Sequence, residues 1–523
     1  MQSRTKYIIF LLVLMGFALR FSIFFRDTDT IDQLFIPDDT YYTLSIARSL
    51  AAGEGPSADG QTQTNGFQPL LAFLLVPSFH FSSNLDFSLR WALMIAILCS
   101  TLNIYLLGCL AFRLAGEIGG IAASAIWSFS QVAIANSMGG LEASLALTFT
   151  LLLVLIWPRA QEKEGLSRLV IIGCLVGLAL LARIDTIFLV FLLGLYGFIG
   201  KHRKRVLIIA FVALLVVLPW WIYSTVKFGT FIPKSGDAVH KQIEVHKATH
   251  LDAPKQIGWV TGAIIGSPFV DFKKMKEVLY AFPTLGVISG ILVLFILGSL
   301  VFWAAKKKSA DIPLLLFYIY GIVIVLFYTF YLPALWFMKR YLHPFYGVLT
   351  LLFAFVVSFT YKEMKKSKNF AIMLFVCFCV LFAVSVFKSL SFTWIDPDVS
   401  PDKWLHGAKG YRSVSMDILK QVPEGSVLGA FQSGALTYYA HKKIKVLNLD
   451  GVVDPFAAKA VKNKRLGEYA YARGMEYFAD WDINYYAFHL FGGELIERAK
   501  FETIGVARPQ GEERFIVYRV VWP

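Results

Sequence analysis

The sequence has 523 residues, of which 57% are hydrophobic and only 16% are charged. Soluble globular chains carry about 25% charged residues, so one large soluble core is excluded and a polytopic α-helical membrane protein is predicted. The formal net charge is +14, but the basic residues cluster in short gaps between apolar runs, which is typical of cytoplasmic loops and not of a nucleic-acid-binding surface. All five cysteines lie within apolar runs, which favours buried packing over disulfides or metal binding.

Apolar runs approach the roughly 20 residues of a membrane-spanning helix at many points along the chain. About eleven membrane helices are predicted, at residues 7–25, 91–112, 119–135, 141–157, 169–182, 186–200, 206–226, 282–304, 312–331, 341–360 and 370–388. The first run follows Arg4 and Lys6, and no small-residue cleavage site comes after it. This pattern favours a retained membrane helix over a cleaved signal peptide.

Basic residues give these helices an orientation, because cytoplasmic loops carry an excess of Lys and Arg. In the predicted topology the basic clusters lie on one side, at residues 4–6, 113, 159–168, 201–205, 306–308 and 362–368. The Asp-rich loop 26–90 lies on the other side. We therefore expect a multi-pass protein of the cytoplasmic (inner) membrane, with a cytoplasmic N-terminus and an external, periplasmic C-terminal domain.

One nearly continuous apolar stretch, 169–200, is interrupted by Arg183-Ile184-Asp185. Read as one helix, it would place the later Lys and Arg clusters outside, so two short helices with a turn at Arg183–Asp185 are predicted. Each would span about 21 Å, less than the roughly 30 Å of a bilayer core. Arg183 and Asp185 would then lie below the outer surface, where ionisable groups are costly and mark candidate functional sites. The alternative is a self-satisfied pair that only stabilises the turn.

The external regions divide the chain into two predicted domains. Residues 1–392 are predicted to form a transmembrane domain with external loops 26–90 and 227–281, and residues 393–523 a soluble external α/β domain. The first loop carries an amphipathic helix from Thr40 to Ala52 and a short apolar run at 70–79. In the tail, strands are predicted at 427–431, 443–448 and 515–520, with a helix over about 454–477.

Two adjacent carboxylates, Asp38 and Asp39, follow Pro37 at the start of the first-loop helix. Pro37 fixes its own φ and ends any preceding helix, so either Asp could be the N-cap of the next one. Adjacent residues on a helix point about 100° apart. We therefore expect the two side chains to divide their roles, with one carrying chemistry and the other capping or orienting.

The segment Pro37-Asp38-Asp39-Thr40-Tyr41-Tyr42, followed by Ile46-Ala47-Arg48, resembles the first external loop of the GT-C membrane glycosyltransferases. This class includes the protein mannosyltransferases and the lipid A aminoarabinose transferase. In that class the first Asp acts as catalytic base or helps to hold a metal ion; it matches Asp38, and Asp39 matches its acidic neighbour. Looser similarities to bacterial members occur at Gly140–Glu142, Leu181–Asp185, Pro233–Ser235, Arg340–Pro344, Gln432–Ala435 and Asn448–Gly451.

The resemblance implies an inverting transfer of a sugar from a polyprenyl-phosphate-linked donor to a lipid or glycan acceptor of the cell envelope, on the external face of the membrane. Asp38 would accept the proton of the attacking hydroxyl. Cations must stabilise the leaving phosphate, and the candidates are Lys234, Lys339, Arg340 and His343. Each has a simpler explanation: Lys339 and Arg340 as cations that reach the headgroups, Lys234 as a solvated lysine, and His343 as a packed helix-start residue.

The sequence leaves alternatives open both for a cofactor and for the class of function. A divalent cation would take Asp38 and Glu142 as candidate ligands, but one acidic pair is too little to specify it; Glu142 would otherwise be a first-turn carboxylate favoured by the helix dipole. The alternative function is a transporter or flippase of a lipid-linked saccharide. Such transporters usually show internal repeats, and none is evident in this sequence. A non-catalytic assembly protein would explain the tail but not the loop carboxylates.

Overall fold

The computed structural model describes residues 3–158, 165–200, 202–249, 253–264, 278–306, 312–334, 338–364, 369–391, 393, 410–440, 442–508 and 514–523. The chain divides into two compact units. Unit 1 comprises Met1–Phe25, Leu93–Pro219 and Leu251–Pro401, and unit 2 comprises Arg26–Ala92, Trp220–His250 and Asp402–Pro523. The loop 26–90 and the C-terminal region therefore belong to one unit. Residue 392, the predicted domain boundary, lies outside the described residues, as do parts of the loop 227–281 and of several basic clusters.

The described chain is mostly helical, with one small sheet. Its helices are α1 Ser3–Phe24, α2 Thr28–Phe35, α3 Asp38–Ala51, α4 Pro69–Phe81, α5 Leu85–Ser128, α6 Gln131–Met138, α7 Ala143–Ile156, α8 Leu166–Ala182, α9 Ile187–Ile199, α10 Arg203–Phe228, α11 Ser235–Thr249, α12 Ala253–Ile264, α13 Pro283–Lys306, α14 Ile312–Leu326, α15 Met338–Tyr341, α16 His343–Met364, α17 Asn369–Leu390, α18 Tyr411–Leu419, α19 Gly434–Ala440, α20 Pro455–Lys462, α21 Leu466–Ala472, α22 Asp482–Gly492 and α23 Glu494–Arg498. The strands are β1 Val427–Ala430, β2 Lys445–Asn448, β3 Tyr477–Trp481, β4 Lys500–Arg508 and β5 Phe515–Val521.

The number of membrane-spanning helices can be compared with the predicted eleven. Within the described residues, six helices are long and apolar enough to cross a membrane, or seven if α6 and α7, bent by 117°, count as one span. The predicted number of eleven is thus not confirmed. The element α5 spans 44 residues, but Gly116 is not helical (φ 75°, ψ −160°) and divides it into two helices, in the gap between the predicted helices 91–112 and 119–135. Glycine adopts this positive φ readily, and the two halves pack side by side, since Ser124 Oγ donates to the Ile104 carbonyl at 3.3 Å.

The break predicted at Arg183 is confirmed. Helix α8 ends at Ala182, Arg183 is extended with φ −156° and ψ 129°, and a 3-10 turn at Ile184–Thr186 leads into α9. Both halves are short apolar helices, of 17 and 13 residues. The polar pair at positions 183 and 185 therefore interrupts an otherwise continuous apolar stretch, as the charge pattern predicts.

Unit 2 contains the sheet, with strand order β2-β1-β3-β5-β4. Strand β1 pairs in parallel with β2 and β3, and β5 pairs antiparallel with β3 and β4. Successive residues along a strand point to opposite faces, and here Phe478 and Ala479 lie in two separate apolar clusters. Helices α18 and α19 contribute to one cluster, and α20, α21 and α22 to the other. Both faces of the sheet are therefore covered, which gives an α/β domain of three layers.

The predicted strands at 427–431, 443–448 and 515–520 are confirmed as β1, β2 and β5. Strands β3 and β4 were not predicted. The predicted helix over 454–477 is two helices, α20 and α21, and its last residue already belongs to β3. The first-loop helix is also confirmed as α3, which begins two residues earlier than predicted, at Asp38.

Candidate active site

Asp38 opens helix α3, but neither it nor Asp39 caps that helix. The N-cap is Pro37, with φ −77°, and both acidic residues lie in the first helical turn. The Asp38 side chain is buried and reaches a different helix, α19. Its Oδ2 accepts a hydrogen bond from the Gly434 N–H at 2.7 Å, and its Oδ1 accepts one from the Ala435 N–H at 2.8 Å. Asp39 is only half-buried.

The other end of α3 contacts the other end of α19. Arg48 Nη1 donates to the Tyr438 carbonyl at 2.9 Å, and Nη2 donates to the Thr437 carbonyl at 3.4 Å. A carboxylate at the first N–H groups of a helix and a guanidinium at its last carbonyls both complement the helix dipole. Helix α3 of the first loop thus provides hydrogen-bond partners for both ends of helix α19 in the tail.

Tyr42 lies one turn after Asp38 on the same helix and joins a buried polar network. Its hydroxyl donates to the Phe431 carbonyl at 2.9 Å and accepts from the Ser433 N–H at 3.1 Å. Asn448 Nδ2 donates to the Tyr42 hydroxyl at 2.9 Å and to Ser433 Oγ at 3.0 Å. Since Asn448 ends β2, the network ties α3 to the sheet itself.

Burial sets the acidity of the carboxylates around the start of α3. It raises the pKa of Asp38 to about 7; the N–H groups of Ala435 and Gly434 lower the pKa, and nearby Asp39 and Asp480 raise it. Burial likewise raises the pKa of Asp480 to about 6 and that of Asp450 well above its ordinary value. A carboxylate with a pKa near neutrality is suited to accept a proton in general base catalysis.

Asp480 was missed by the sequence analysis. Its Oδ2 accepts from the Phe431 N–H at 2.5 Å and from the Gln432 N–H at 3.1 Å. It lies near the carboxyl end of β3, beside the carboxyl end of the parallel strand β1. Functional side chains collect at such strand ends in α/β sheets, so recognising β3 would have drawn attention to it.

A second buried acid of the first loop, Asp32, was also missed. It accepts from the Tyr41 hydroxyl at 2.5 Å and from the Arg412 N–H at 2.8 Å. Burial raises its pKa to about 7. The Arg412 guanidinium in turn lies 2.7 Å from Asp29 and 3.3 Å from Asp86. Helix α2 and the start of α18 are thus joined by a buried carboxylate and flanking ion pairs.

Lys234, a predicted phosphate ligand, also belongs to unit 2. Its backbone N–H donates to Asn65 Oδ1 at 3.3 Å, and its ammonium lies 3.5 Å from Asp237. Asn65 Nδ2 further donates to Ser224 Oγ at 2.7 Å. The loop before α11 is thereby attached to the first loop, while one third of the Lys234 side chain stays exposed.

In unit 1 the structure brings Glu142 together with Arg183 and Asp185, the pair that the sequence places at the helix break. Arg183 Nη1 lies 2.8 Å from Glu142 Oε1, and Arg183 Nη2 lies 2.7 Å from Asp185 Oδ2. Its Nε also donates to both Asp185 oxygens, at 3.2 and 3.1 Å. All three side chains are buried. The Arg183–Asp185 pair does stabilise the turn, but it shares its cation with Glu142.

Two tyrosines complete this cluster. The Tyr328 hydroxyl accepts from Arg183 Nη2 at 3.0 Å and donates to Asp185 Oδ2 at 2.7 Å. The Tyr328 ring stacks on the Tyr341 ring, with centroids 4.4 Å apart. The guanidinium of Arg340 lies 5.4 Å from the centroid of the Tyr341 ring. Tyr328 lies within an apolar stretch, where a ring gives no distinct sequence signal, whereas Tyr341 belongs to the Arg340–Pro344 segment noted in the sequence.

Arg340 is more exposed than Arg183 and lies farther from Glu142. Its Nε is 3.7 Å from Glu142 Oε1, and 20% of its side chain is exposed, compared with 4% for Arg183. Neighbouring Asn136 Nδ2 donates to the Lys339 carbonyl at 3.2 Å and lies 2.8 Å from His343 Nδ1. His343 begins α16 and is buried against the Trp127 ring. Unit 1 thus gathers Glu142, the helix break at residues 183–185 and the 339–343 segment.

Three comparisons place this architecture among known proteins. The family model of dolichyl-phosphate-mannose-protein mannosyltransferases matches residues 68–223. The structure is similar to that of ArnT from Cupriavidus metallidurans bound to undecaprenyl phosphate, with 14% identity and a TM-score of 0.55 over 97% of both chains. It is also similar to the Archaeoglobus fulgidus oligosaccharyltransferase in the apo form, with 14% identity and a TM-score of 0.55 over 98% of this chain and 74% of that chain. No match to the sequence is found among curated proteins. The chain has the GT-C fold.

Within this GT-C fold, the predicted site residues fall into two sets. Unit 2 holds Asp38, Asp39 and Lys234, and unit 1 holds Glu142, Arg183, Asp185, Lys339, Arg340 and His343. In unit 2 the structure adds Asp32 and Asp480, and it buries Asp450 of the Asn448–Gly451 segment noted in the sequence. In unit 1 it adds Tyr328 and stacks it on Tyr341 of the noted Arg340–Pro344 segment. The apolar helices make the chain a multi-pass membrane protein.

The candidate metal ligands do not form a ready cation site in this GT-C protein. An A. fulgidus oligosaccharyltransferase structure is described as a complex with Zn and sulfate. Among the residues that the present structure describes, no three or more His, Cys, Asp or Glu side chains are grouped so as to hold a metal ion. Glu142 is paired with Arg183, and the Asp38 oxygens accept two N–H groups. Divalent cations need several oxygen ligands, so these residues as arranged do not fit one.

Proposed function

We propose that this protein is a glycosyltransferase that moves a sugar from a polyprenyl-phosphate-linked donor to a hydroxyl of a cell-envelope lipid or glycan on the external face of the cytoplasmic membrane. The observation that supports this most is the similarity over 97% of both chains to an ArnT structure bound to undecaprenyl phosphate. A further similar structure is that of an archaeal oligosaccharyltransferase with an inhibitory peptide and a dolichol-phosphate. Both of those ligands are polyprenyl phosphates, which suggests the donor class.

The proposed reaction is a displacement at the anomeric carbon. The acceptor oxygen forms a bond to that carbon from the face opposite the phosphate, and the bond between the carbon and the phosphate oxygen breaks. The polyprenyl phosphate leaves with the bonding electrons, and the hydroxyl proton passes to the Asp38 carboxylate. Each carboxylate oxygen has two acceptor sites, so the two N–H groups on Asp38 leave acceptor sites for this proton. Asp39 would orient or support the helix start.

The leaving phosphate needs cations, since its charge grows in the transition state. Among the four predicted ligands, Arg340 is the strongest proposal, because a guanidinium can bind phosphate in bidentate fashion and one fifth of its side chain is exposed. Lys339 and Lys234 would act as point charges. His343 is buried, and its Nε2 has no hydrogen-bond partner among the residues that the structure describes, so it is proposed as a neutral hydrogen-bonding group.

The test is transfer by purified protein. Wild-type protein and the Asp38→Asn and Asp39→Asn variants would be supplied with a panel of undecaprenyl-phosphate monosaccharides and with cell-envelope lipid and glycan extracts. We expect transfer by the wild type, a loss of at least about a hundred-fold for Asp38→Asn, as for removal of a general base, and a smaller loss for Asp39→Asn.

A matched control separates chemistry from packing. Asp38→Asn also loosens α3 from α19, since Asn offers one acceptor oxygen in place of two. Arg48→Met loosens the same helix pair at its other end without touching the carboxylate. Equal losses for Arg48→Met and Asp38→Asn would contradict a catalytic role of Asp38. No transfer with any donor, alongside movement of a lipid-linked saccharide across vesicles, would favour a flippase.

A further inference from the structure

The segment that joins β1 to α19 has an unusual set of hydrogen bonds. Five successive main-chain N–H groups, from Phe431 to Ala435, all donate to side chains. The first two donate to Asp480, the third to the Tyr42 hydroxyl, and the last two to Asp38. Main-chain N–H groups mostly pair with other main-chain groups, so this segment presents its donors to side chains instead. It contains Gln432-Ser433-Gly434-Ala435, one of the motifs that the sequence analysis noted.

We propose that this tail segment is the positioning element of the catalytic base: the N–H groups of Gly434 and Ala435 fix the orientation of the Asp38 carboxylate for proton transfer. The proposal rests on the proposed function and gives the C-terminal domain a role in it. The Asp38 side chain, in the first turn of α3, can rotate about two bonds. Two N–H groups, one on each oxygen, stop that rotation and aim the remaining acceptor sites in a fixed direction.

The close approach depends on glycine at position 434. A Cβ built there would lie 2.3 Å from the Asp38 carbonyl oxygen and 2.9 Å from Asp38 Oδ1. Real Cβ atoms do not come so near, so any larger residue would push α19 away from the carboxylate. Glycine at position 434 therefore allows the start of α19 to approach the Asp38 carboxylate.

The positioning segment is itself fixed on both sides. Asp480 holds its first two N–H groups and also accepts from the Trp481 N–H at 2.8 Å and from Asn484 Nδ2 at 2.7 Å. Tyr42 and Asn448 hold Ser433. The donors to Asp38 are thus supported by contacts that originate in β2, β3 and α3. A catalytic group is placed accurately when the groups that contact it are themselves held by further contacts.

The direct test is the substitution Ala435→Pro in the full-length protein. Proline lacks the N–H, and its Cδ takes the place of the amide hydrogen that points at Asp38 Oδ1, so the change removes one donor and displaces that carboxylate oxygen. The cost to α19 itself is small, because at the second position of a helix the N–H has no partner within the helix. We expect kcat for transfer from an undecaprenyl-phosphate sugar to fall on the order of ten- to a hundred-fold, as for a misplaced catalytic group. KM for donor and acceptor should stay within about two-fold, since binding is untouched.

Two further variants keep the result interpretable. Ile483→Pro makes the same change at the second position of α22, at an exposed residue, and should leave kcat unchanged. Tyr42→Phe removes only the hydroxyl that supports Ser433, and should lower kcat by a smaller factor, about three-fold. If Ala435→Pro fails to fold, the Tyr42→Phe result and the Gly434→Ala variant carry the test.

The outcomes separate this proposal from the proposed function. Transfer that depends on Asp38 but has an unchanged kcat in Ala435→Pro would overturn the positioning role and leave the function intact. A rise in KM with unchanged kcat would also overturn it, because the tail would then serve substrate binding. Wild-type transfer rates in Asp38→Asn would overturn the catalytic-base role of Asp38, and with it this proposal, but not the transferase function, which only an absence of transfer by the wild type would overturn. In an Asp38→Asn background, Ala435→Pro should lower the residual rate no further, and an additive loss would contradict the proposed coupling.

Discussion

Asp38 and Arg48 hold the two ends of one seven-residue helix. Asp38 accepts from its first two N–H groups, and Arg48 donates to carbonyls at its end. A helix this short has few hydrogen bonds of its own, so outside partners at both termini matter for its formation. Helix α19 therefore depends on α3, and the first loop and the C-terminal domain are expected to lose structure together.

We expect Arg48→Met to lower the free energy of unfolding of unit 2 by about 1–2 kcal/mol, the usual effect of losing charge-assisted hydrogen bonds to buried carbonyls. The methionine keeps most of the apolar length, so the effect reports on the lost donors. Thermal unfolding in detergent, followed by tryptophan fluorescence, would measure it. Lys459→Met, at an exposed position of α20, is the control and should leave the melting temperature unchanged. A wild-type melting temperature for Arg48→Met would show that α19 does not need this cap.

The buried carboxyl of Asp32 should make stability depend on pH. Its pKa in the folded protein is raised to about 7, so the folded state binds its proton more tightly than the unfolded state does. The stabilisation is fully present below the unfolded value, near 4, and is lost as the pH rises through 7. One such carboxyl contributes a slope of up to about 1.4 kcal/mol per pH unit in that window.

We therefore expect the melting temperature to fall between about pH 4 and pH 7, and to fall less steeply in Asp32→Asn than in the wild type. Melting curves at half-unit pH steps would measure the difference. Glu424→Gln, which changes an exposed carboxylate, should keep the wild-type slope. Parallel curves for wild type and Asp32→Asn would contradict the raised pKa.

Arg183 should be required for folding. It is buried between Glu142 and Asp185, and its removal would leave both carboxylates without their main cation. Breaking a buried ion pair by removing one partner costs about 3–5 kcal/mol, so Arg183→Met should yield little folded protein by size-exclusion chromatography. Asp185→Asn keeps a hydrogen-bonding group at that position and should be milder. A folded, stable Arg183→Met variant would mean that the cluster has no role in the helix break.

Arg340 should instead affect ligand binding, since 20% of its side chain is exposed, compared with 4% for Arg183. We expect Arg340→Met to fold normally and to bind undecaprenyl phosphate about ten-fold more weakly, the effect of losing one charge-assisted hydrogen bond. The affinity of Arg340→Lys should lie between those of the wild type and Arg340→Met, because an ammonium keeps the charge but lacks the bidentate geometry. Binding in detergent micelles would be compared with Lys227→Met, which removes an exposed cation near the end of α10. Equal affinity for the Met variant and wild type would remove Arg340 from the phosphate site.

The sequence was informative where one local pattern determines the outcome. Pro37 followed by two acids predicted a helix start, and the polar residues at 183 and 185 predicted the break. It was uninformative where the outcome depends on a distant partner. Asp38 and Gly434 are 396 positions apart, so nothing near residue 38 indicates that its carboxylate binds the tail. The same holds for Tyr328, whose role depends on Arg183.

Strands β3 and β4 were missed for different reasons. Strand β3 is short, it contains Asp480, and it is flanked by Glu476 and Asp482, so charged residues obscure its apolar ones. Strand β4 is an edge strand with bulges at Thr503–Gly505 and Val506–Arg508, so its alternation is interrupted. A bulge inserts one extra residue, so the side chains after it alternate out of step with those before it. The regular alternation of apolar and polar residues that identifies a strand in a sequence is then lost. The missed β3 also hid Asp480, the residue that supports the segment holding Asp38.

The predicted orientation can be tested with two cysteines. Lys420→Cys lies on the tail domain at a position where 73% of the native side chain is exposed, and Ser167→Cys lies at the exposed start of α8, next to Arg168. The charge pattern places the first outside and the second in the cytoplasm. In intact cells, a membrane-impermeant maleimide should therefore label Lys420→Cys above the background of the native cysteines. Ser167→Cys should be labelled only after the membrane is permeabilised. The reverse pattern would invert the topology and place Asp38's unit on the cytoplasmic side, where a donor used on the external face would not reach it.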